Sequence, residues 1–163
     1  RSKLVGDRNS RRRIGYGAEA VNNEQKTKLE KAKTLLNERR AACVVVSDAP
    51  YIYFDRGVRP LLTALEEGRL AGACVADRVI GKGAAMLLVC GGATAVHASL
   101  ISAHAKTYLD RHGIEYSSDQ ACPYIINRTG DGMCPMESTV LEIEDPYAGV
   151  AAMRQKLKEL SEQ

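Results

Sequence analysis

Leu29, Ala32, Leu35 and Leu36 recur at helical spacing among Lys, Glu and Arg, so residues 23–40 are predicted to form an amphipathic helix. Ala41 to Val46 is a short apolar run suited to a buried strand. Asp48-Ala49-Pro50 turns the chain, and Tyr51-Ile52-Tyr53-Phe54 returns as a second strand of an antiparallel hairpin. Gly57-Val58-Arg59-Pro60 opens a short helix through Leu61, Leu62 and Leu65, which Gly68 closes. Residues 77–89 read as a further helix. Asp77, Gly81, Ala84, Ala85 and Leu88 fall on one stripe of it, and Gly91-Gly92 supplies the stop. Val96 to Ile101 reads as the third strand. Ser102 caps a helix from about Ala103 to His112, Gly113 ends it, and Ile114 to Ser117 is extended again. Helices between successive strands imply parallel pairing in the third to fifth strands. Tyr124-Ile125-Ile126 and Val140 to Ile143 add extended segments around a glycine turn. Asp145-Pro146 starts a last helix with Val150, Met153 and Leu157 inward.

These elements predict a three-layer α/β fold, a mixed sheet of about five strands with helices on both faces. Composition agrees: 45% of residues are apolar, with one Phe and no Trp, so the core is built from Ala, Val, Leu and Ile. A chain of 163 residues suits one domain, here residues 23–163. Residues 1–22 read as a basic flexible arm, with six basic residues against two acidic. The remaining 17 basic and 18 acidic residues nearly cancel, which argues against a nucleic-acid-binding body and leaves only weak contact through the arm. No apolar run approaches the roughly 20 residues of a membrane span. Cys43, Cys74, Cys90, Cys122 and Cys134 show no Cys-x-x-Cys pair, and an odd count of this kind reads as reduced thiols in a cytoplasmic protein. The first three lie among Ala and Val as core residues.

Candidate chemistry gathers between Cys122 and Glu137, where Thr129-Gly130-Asp131-Gly132 needs positive φ and reverses the backbone at the end of an apolar segment. Cys134 reads as a nucleophile if Arg128 or a local backbone nest lowers its pKa, or else as a thiol that fixes the turn. Glu137 is a general acid/base or the partner of Arg128 across the turn. Asn127 ties the loop through its amide, and Asn127, Arg128 and the turn N–H groups make an anion or carbonyl site. Asp77, near a helix N-terminus, is expected to stay ionised as a catalytic carboxylate or to act as an N-cap. Lys82 lies off the Asp77 stripe and reads as a solvated lysine or a weaker ligand residue. Gly81 serves helix-to-sheet packing or close approach of a ligand, and Ser102 completes the group.

The element order resembles the cytidine-deaminase-like fold. More closely, residues 24–160 resemble the family known as domain of unknown function 1893. The resemblance is carried by Gly57-Val58-Arg59-Pro60-Leu61-Leu62, by Ala76-Asp77-Arg78-Val79-Ile80-Gly81-Lys82-Gly83-Ala84-Ala85, and by Asn127-Arg128-Thr129-Gly130-Asp131-Gly132-Met133-Cys134-Pro135-Met136-Glu137. It implies a fold and no activity. Zinc deaminases need His-x-Glu or Cys-x-Glu on one helix and Pro-Cys-x-x-Cys opening the next. Neither occurs here. The sequence puts Asp77-Arg78-Val79 and Ser102-Ala103-His104 at those places, and no metal or other cofactor is expected.

Two functional readings follow. The first is a small-molecule binding protein or metal-independent enzyme for a nucleotide-like or other polar metabolite, sited between Asp77, Ser102 and the Asn127–Glu137 loop. The second is a non-catalytic assembly module, forming a homodimer through Gly83, Ala84, Gly91, Gly92 and Ala93.

Overall fold

The computed structural model describes residues 16–162, and of residues 16–22 the backbone only. Helix α1 spans Tyr16–Glu38, so the expected arm boundary at residue 22 falls inside it, while residues 1–15 lie outside the described part. Strands β1 (Cys43–Val46) and β2 (Pro50–Tyr53) form the hairpin, and α2 (Arg59–Glu66) follows. Next come β3 (Cys74–Ile80), α3 (Lys82–Gly91), β4 (Ala95–Ser102), α4 (Ala103–Arg111) and β5 (Glu115–Cys122). The short α5 (Pro135–Thr139) and the longer α6 (Pro146–Ser161) complete the chain.

The five strands lie in the order β2-β1-β3-β4-β5. β1 is antiparallel to β2 and to β3, whereas β3, β4 and β5 run parallel. Alternation along the strands gives each face its own layer. Val44, Val46 and Ala76 meet Ala32 and Leu36 of α1. Cys43, Val45, Val75 and Val96 face the core shared with α2, α3, α4 and α6, including Leu61, Leu87, Tyr108 and Met153. Arg78 ties the α1 layer down. Its Nη2 donates to Leu36 O at 2.9 Å, its Nε to Ala41 O at 3.0 Å and its Nη1 to Asn37 Oδ1 at 3.1 Å, which ties β3 to the end of α1 and to the segment just after it.

The start of the helix expected over residues 77–89 is overturned. Residues 77–80 belong to β3, the central strand, and the helix begins only at Lys82. Cys74-Val75-Ala76 is buried on both faces of the sheet, so it lacks the alternation that marks a half-exposed strand. The Asp77–Leu88 stripe joined the end of a strand to a true helix, and the two meet at extended Gly81, whose φ is −98° and ψ −175°. Val140–Ile143 is likewise not a strand, and the Tyr124–Ile126 region makes only the bridge Ile126–Met133.

The Gly and Ala positions of α3 do promote close packing, but within the chain. A Cβ on Gly83 would lie 2.7 Å from Met153 Sδ of α6, and Gly83, Ala84 and Ala93 are buried. That set is therefore core, and the expected dimer surface is reduced to Gly91 and Gly92.

The candidate site: a carboxylate knot beside an arginine-lined cleft

Strands β2, β3, β4 and β5 all point their C-terminal ends to one edge of the sheet, and the residues singled out in the sequence arrive there by different routes. They form three separate environments.

The first is a knot around Glu137, which is 1% exposed. Its Oε2 accepts the Lys82 N–H at 2.8 Å and the Ser102 hydroxyl at 2.5 Å, and its Oε1 accepts the Ile125 N–H at 2.7 Å. The Ser102 oxygen in turn accepts the Ala105 N–H at 3.1 Å, capping α4 as expected from the sequence. A negative group at the first turn of α3 meets the positive end of the helix dipole. Here the chain supplies that anion itself. Gly81 makes the approach possible, since a Cβ there would lie 3.1 Å from Glu137 Oε2 and 3.0 Å from Ile125 Cγ1. Glu137 therefore does not pair with Arg128. Lys82 also departs from expectation: it is buried, and its ammonium donates to Leu141 O at 2.7 Å, 5.7 Å from the centre of the Tyr108 ring.

The second environment is Asp77, in mid-strand between Cys43 of β1 and Ala98 of β4. With no helix N-terminus beside it, the expected dipole stabilisation is absent. Its Oδ1 accepts the Val79 N–H at 3.4 Å, while Oδ2 is buried without a hydrogen-bond partner, alone among the described side-chain N and O atoms. Burial pushes its carboxyl up to about 7, against weaker opposing help from the Val79 N–H and the Cys43 thiol. The Cys43 thiol is itself held well above its usual range by burial and by Asp77.

The third is an open cleft of about 640 Å³ between the β2–α2 loop, the glycine turn, the start of α5 and the end of α6. Arg56, Arg59 and Arg128 line it with Asp55, Thr129 and Cys134, beside the apolar Val58, Ile126, Met136, Leu157 and Leu160. Gly130 reverses the turn with φ +79°. Asn127, although it borders the cleft, spends its side chain on the turn. Its Oδ1 accepts the N–H groups of Gly130 at 2.8 Å and Asp131 at 3.1 Å, and its Nδ2 donates to Asp131 Oδ1 at 3.0 Å. Hydrogen bonds from Thr129 and then Asn127 hold the Asp131 carboxyl below its usual range. Arg128 is exposed beside this hydrogen-bonded turn and has no side-chain partner among the described residues.

Of the residues read from sequence, the structure thus groups Gly81, Lys82, Ser102 and Glu137 in the knot, Asn127, Arg128 and Cys134 at the cleft, and leaves Asp77 apart. Arg56 and Arg59 were missed as site residues. Arg59 stood within the quoted Gly57–Leu62 motif, but only the packing of the β2–α2 loop against the glycine turn joins it to Arg128. Among the described residues no three His, Cys, Asp or Glu side chains gather as metal ligands would.

The family model for a domain of unknown function, DUF1893, matches residues 31–157. The chain belongs to this family. The crystal structure of a DUF1893-family protein from Thermotoga maritima superposes with a TM-score of 0.72 at 27% identity, covering 82% of this chain and 90% of that one. No curated protein matches. The matched residues include the knot, Asp77 and the cleft lining apart from Leu160 and Ser161.

Proposed function

We propose that the protein binds a small polar metabolite, nucleotide-like in size and charge, in the cleft between Arg56, Arg59 and Arg128. The observation that carries this reading is that three arginines from two separate segments, none with a side-chain partner among the described residues, line one cavity with an apolar side. Pockets of roughly 300–1,000 Å³ with a few placed polar groups are the usual form of small-molecule sites. Cys134 stands at the same cleft as the candidate nucleophile of a metal-independent reaction, so the site serves either binding alone or covalent chemistry at the thiol.

The scaffold is deaminase-like on this reading. The order α1-β1-β2-α2-β3-α3-β4-α4-β5, the strand order and the parallel β3–β5 pairing support it. Once β3 is in place, the successive helices that open at the cleft edge are α2 and α3. They begin at Val58-Arg59-Pro60 and Gly81-Lys82-Gly83, not at Asp77 and Ser102. No His or Cys stands at either opening, and the Glu137 carboxylate bonds to the first N–H of α3. Free cysteines, and no helix among the described residues long and apolar enough to cross a membrane, support a cytoplasmic location. The alternative of a homodimeric assembly module is weakened by the burial of Gly83, Ala84 and Ala93.

Mass spectrometry of gently purified protein tests the proposal, with an anionic metabolite of a few hundred daltons expected at near one per chain and lost in Arg128→Ala. A retained compound that is unaffected by Arg59→Ala and Arg128→Ala binds elsewhere and overturns the assignment to this cleft.

A further inference from the structure

Residues 16–162 contain nine arginines. Arg69 engages Tyr53 and Glu67, Arg78 engages the end of α1, Arg111 engages Glu144, and Arg154 engages Glu66. The other five have no side-chain hydrogen bond or carboxylate partner among the described residues. Three of those five, Arg56, Arg59 and Arg128, line one cleft.

Gathering like charges without counter-ions is unfavourable, and an anion between them relieves it. Asp55, the single acidic side chain of the lining, accepts the Arg56 backbone N–H at 2.9 Å and offsets one of the three positive charges, so the lining keeps a net charge of +2. Guanidinium forks match phosphate oxygens in pairs, and several forks suit a doubly charged head better than a single carboxylate. The rest of the lining has the opposite character: Ile126 is 60% exposed and Leu160 36%, beside Leu157 and Met136. Exposed apolar residues next to a charged pocket mark where the uncharged part of a ligand lies.

We infer that the cleft takes an organic phosphate, with its dianionic head among Arg56, Arg59 and Arg128 and an apolar or planar body along Ile126, Met136, Leu157 and Leu160. This rests on the reading of the cleft as the ligand site and adds the chemical class. Neither part alone satisfies the lining. Inorganic phosphate meets only the arginines, and a nucleoside meets only the apolar wall.

The test is calorimetric titration of the full chain with adenosine and cytidine monophosphates, phenyl phosphate, the two free nucleosides and inorganic phosphate. The rate of thiol labelling at Cys134, which lines the cleft, reports where binding occurs. At least one organic phosphate is expected to bind tenfold or more tightly than both its dephosphorylated form and inorganic phosphate, to slow labelling of Cys134, and to weaken at least tenfold in Arg59→Ala and in Arg128→Ala. The double variant Arg39→Ala/Arg40→Ala, which removes unpartnered arginines outside the cleft, is expected to bind unchanged. Nucleosides that bind as tightly as their phosphates and still protect Cys134 overturn the phosphate class and leave the cleft reading standing. Binding that falls equally in the Arg39/Arg40 variant, or that leaves Cys134 labelling untouched, is nonspecific charge attraction and overturns the inference. No binding by any of these compounds at millimolar concentration overturns both.

Discussion

Ser102 and Glu137 lie on different elements, 35 residues apart, yet the serine hydroxyl reaches the glutamate Oε2 at 2.5 Å. That contact joins the first turn of α4 to α5. With the Lys82 and Ile125 N–H groups it locks the ends of β3 and β4 to the loop that carries Arg128.

Removing Glu137 strands three donors at once, two of them buried and the Ile125 N–H half-buried. Leaving a buried donor unsatisfied costs roughly 1–3 kcal/mol, so Glu137→Ala is expected to lose about 3 kcal/mol or more in urea denaturation. Gly81→Ala keeps the carboxylate but crowds it, and overpacking of this kind costs about 1–3 kcal/mol. A loss below about 1 kcal/mol in Glu137→Ala contradicts the role of the knot.

Asp77 makes stability depend on pH in an unusual direction. Its folded pKa of about 7 stands above the ordinary value of 3.8, so its contribution is fully present below about pH 4 and is lost as pH rises through 7. At 1.36 kcal/mol per unit, the full effect is roughly 4 kcal/mol. Asp77→Asn is expected to flatten the stability profile between pH 5 and 8 and to be the more stable protein at pH 8. Denaturation at both pH values checks this, and an unchanged slope in the variant contradicts it.

Arg128 is exposed and holds no partner among the described residues, so its loss is expected to leave the fold intact. Surface substitutions of this kind stay within about 0.5 kcal/mol. Arg128→Ala should therefore match the parent in melting temperature while ligand retention falls, and a clear drop in melting temperature would assign it a structural role instead.

Cys134 is expected to react with a thiol probe at neutral pH well before Cys43 and Cys74. Those two are fully buried, and burial raises both of their thiols. Labelling of Cys134 only after denaturant is added would remove it as a nucleophile.

Local sequence was enough for the hairpin, for Ser102 as a helix cap, for Asp145-Pro146 as a helix start, for Gly113 as a stop and for Gly130 as a left-handed turn residue, because each is set by neighbours within a few positions. It was also enough to mark the Asn127–Glu137 stretch as a place where polar side chains leave a rigid loop. It misplaced β3, since a strand buried on both faces carries no period of its own. Only the folded chain decided what the marked residues do. Glu137 turned inward because Gly81, Ser102 and Ile125, from three other segments, offered donors and space at one point. Arg128 gained its neighbours because the β2–α2 loop leaves the same edge of the sheet. Asp77 lost the helix dipole expected for it and became a carboxyl between strands, where burial rather than charge sets its proton affinity. Contacts across 35 to 70 residues leave no trace in local spacing, so the tertiary structure alone separates the knot from the cleft.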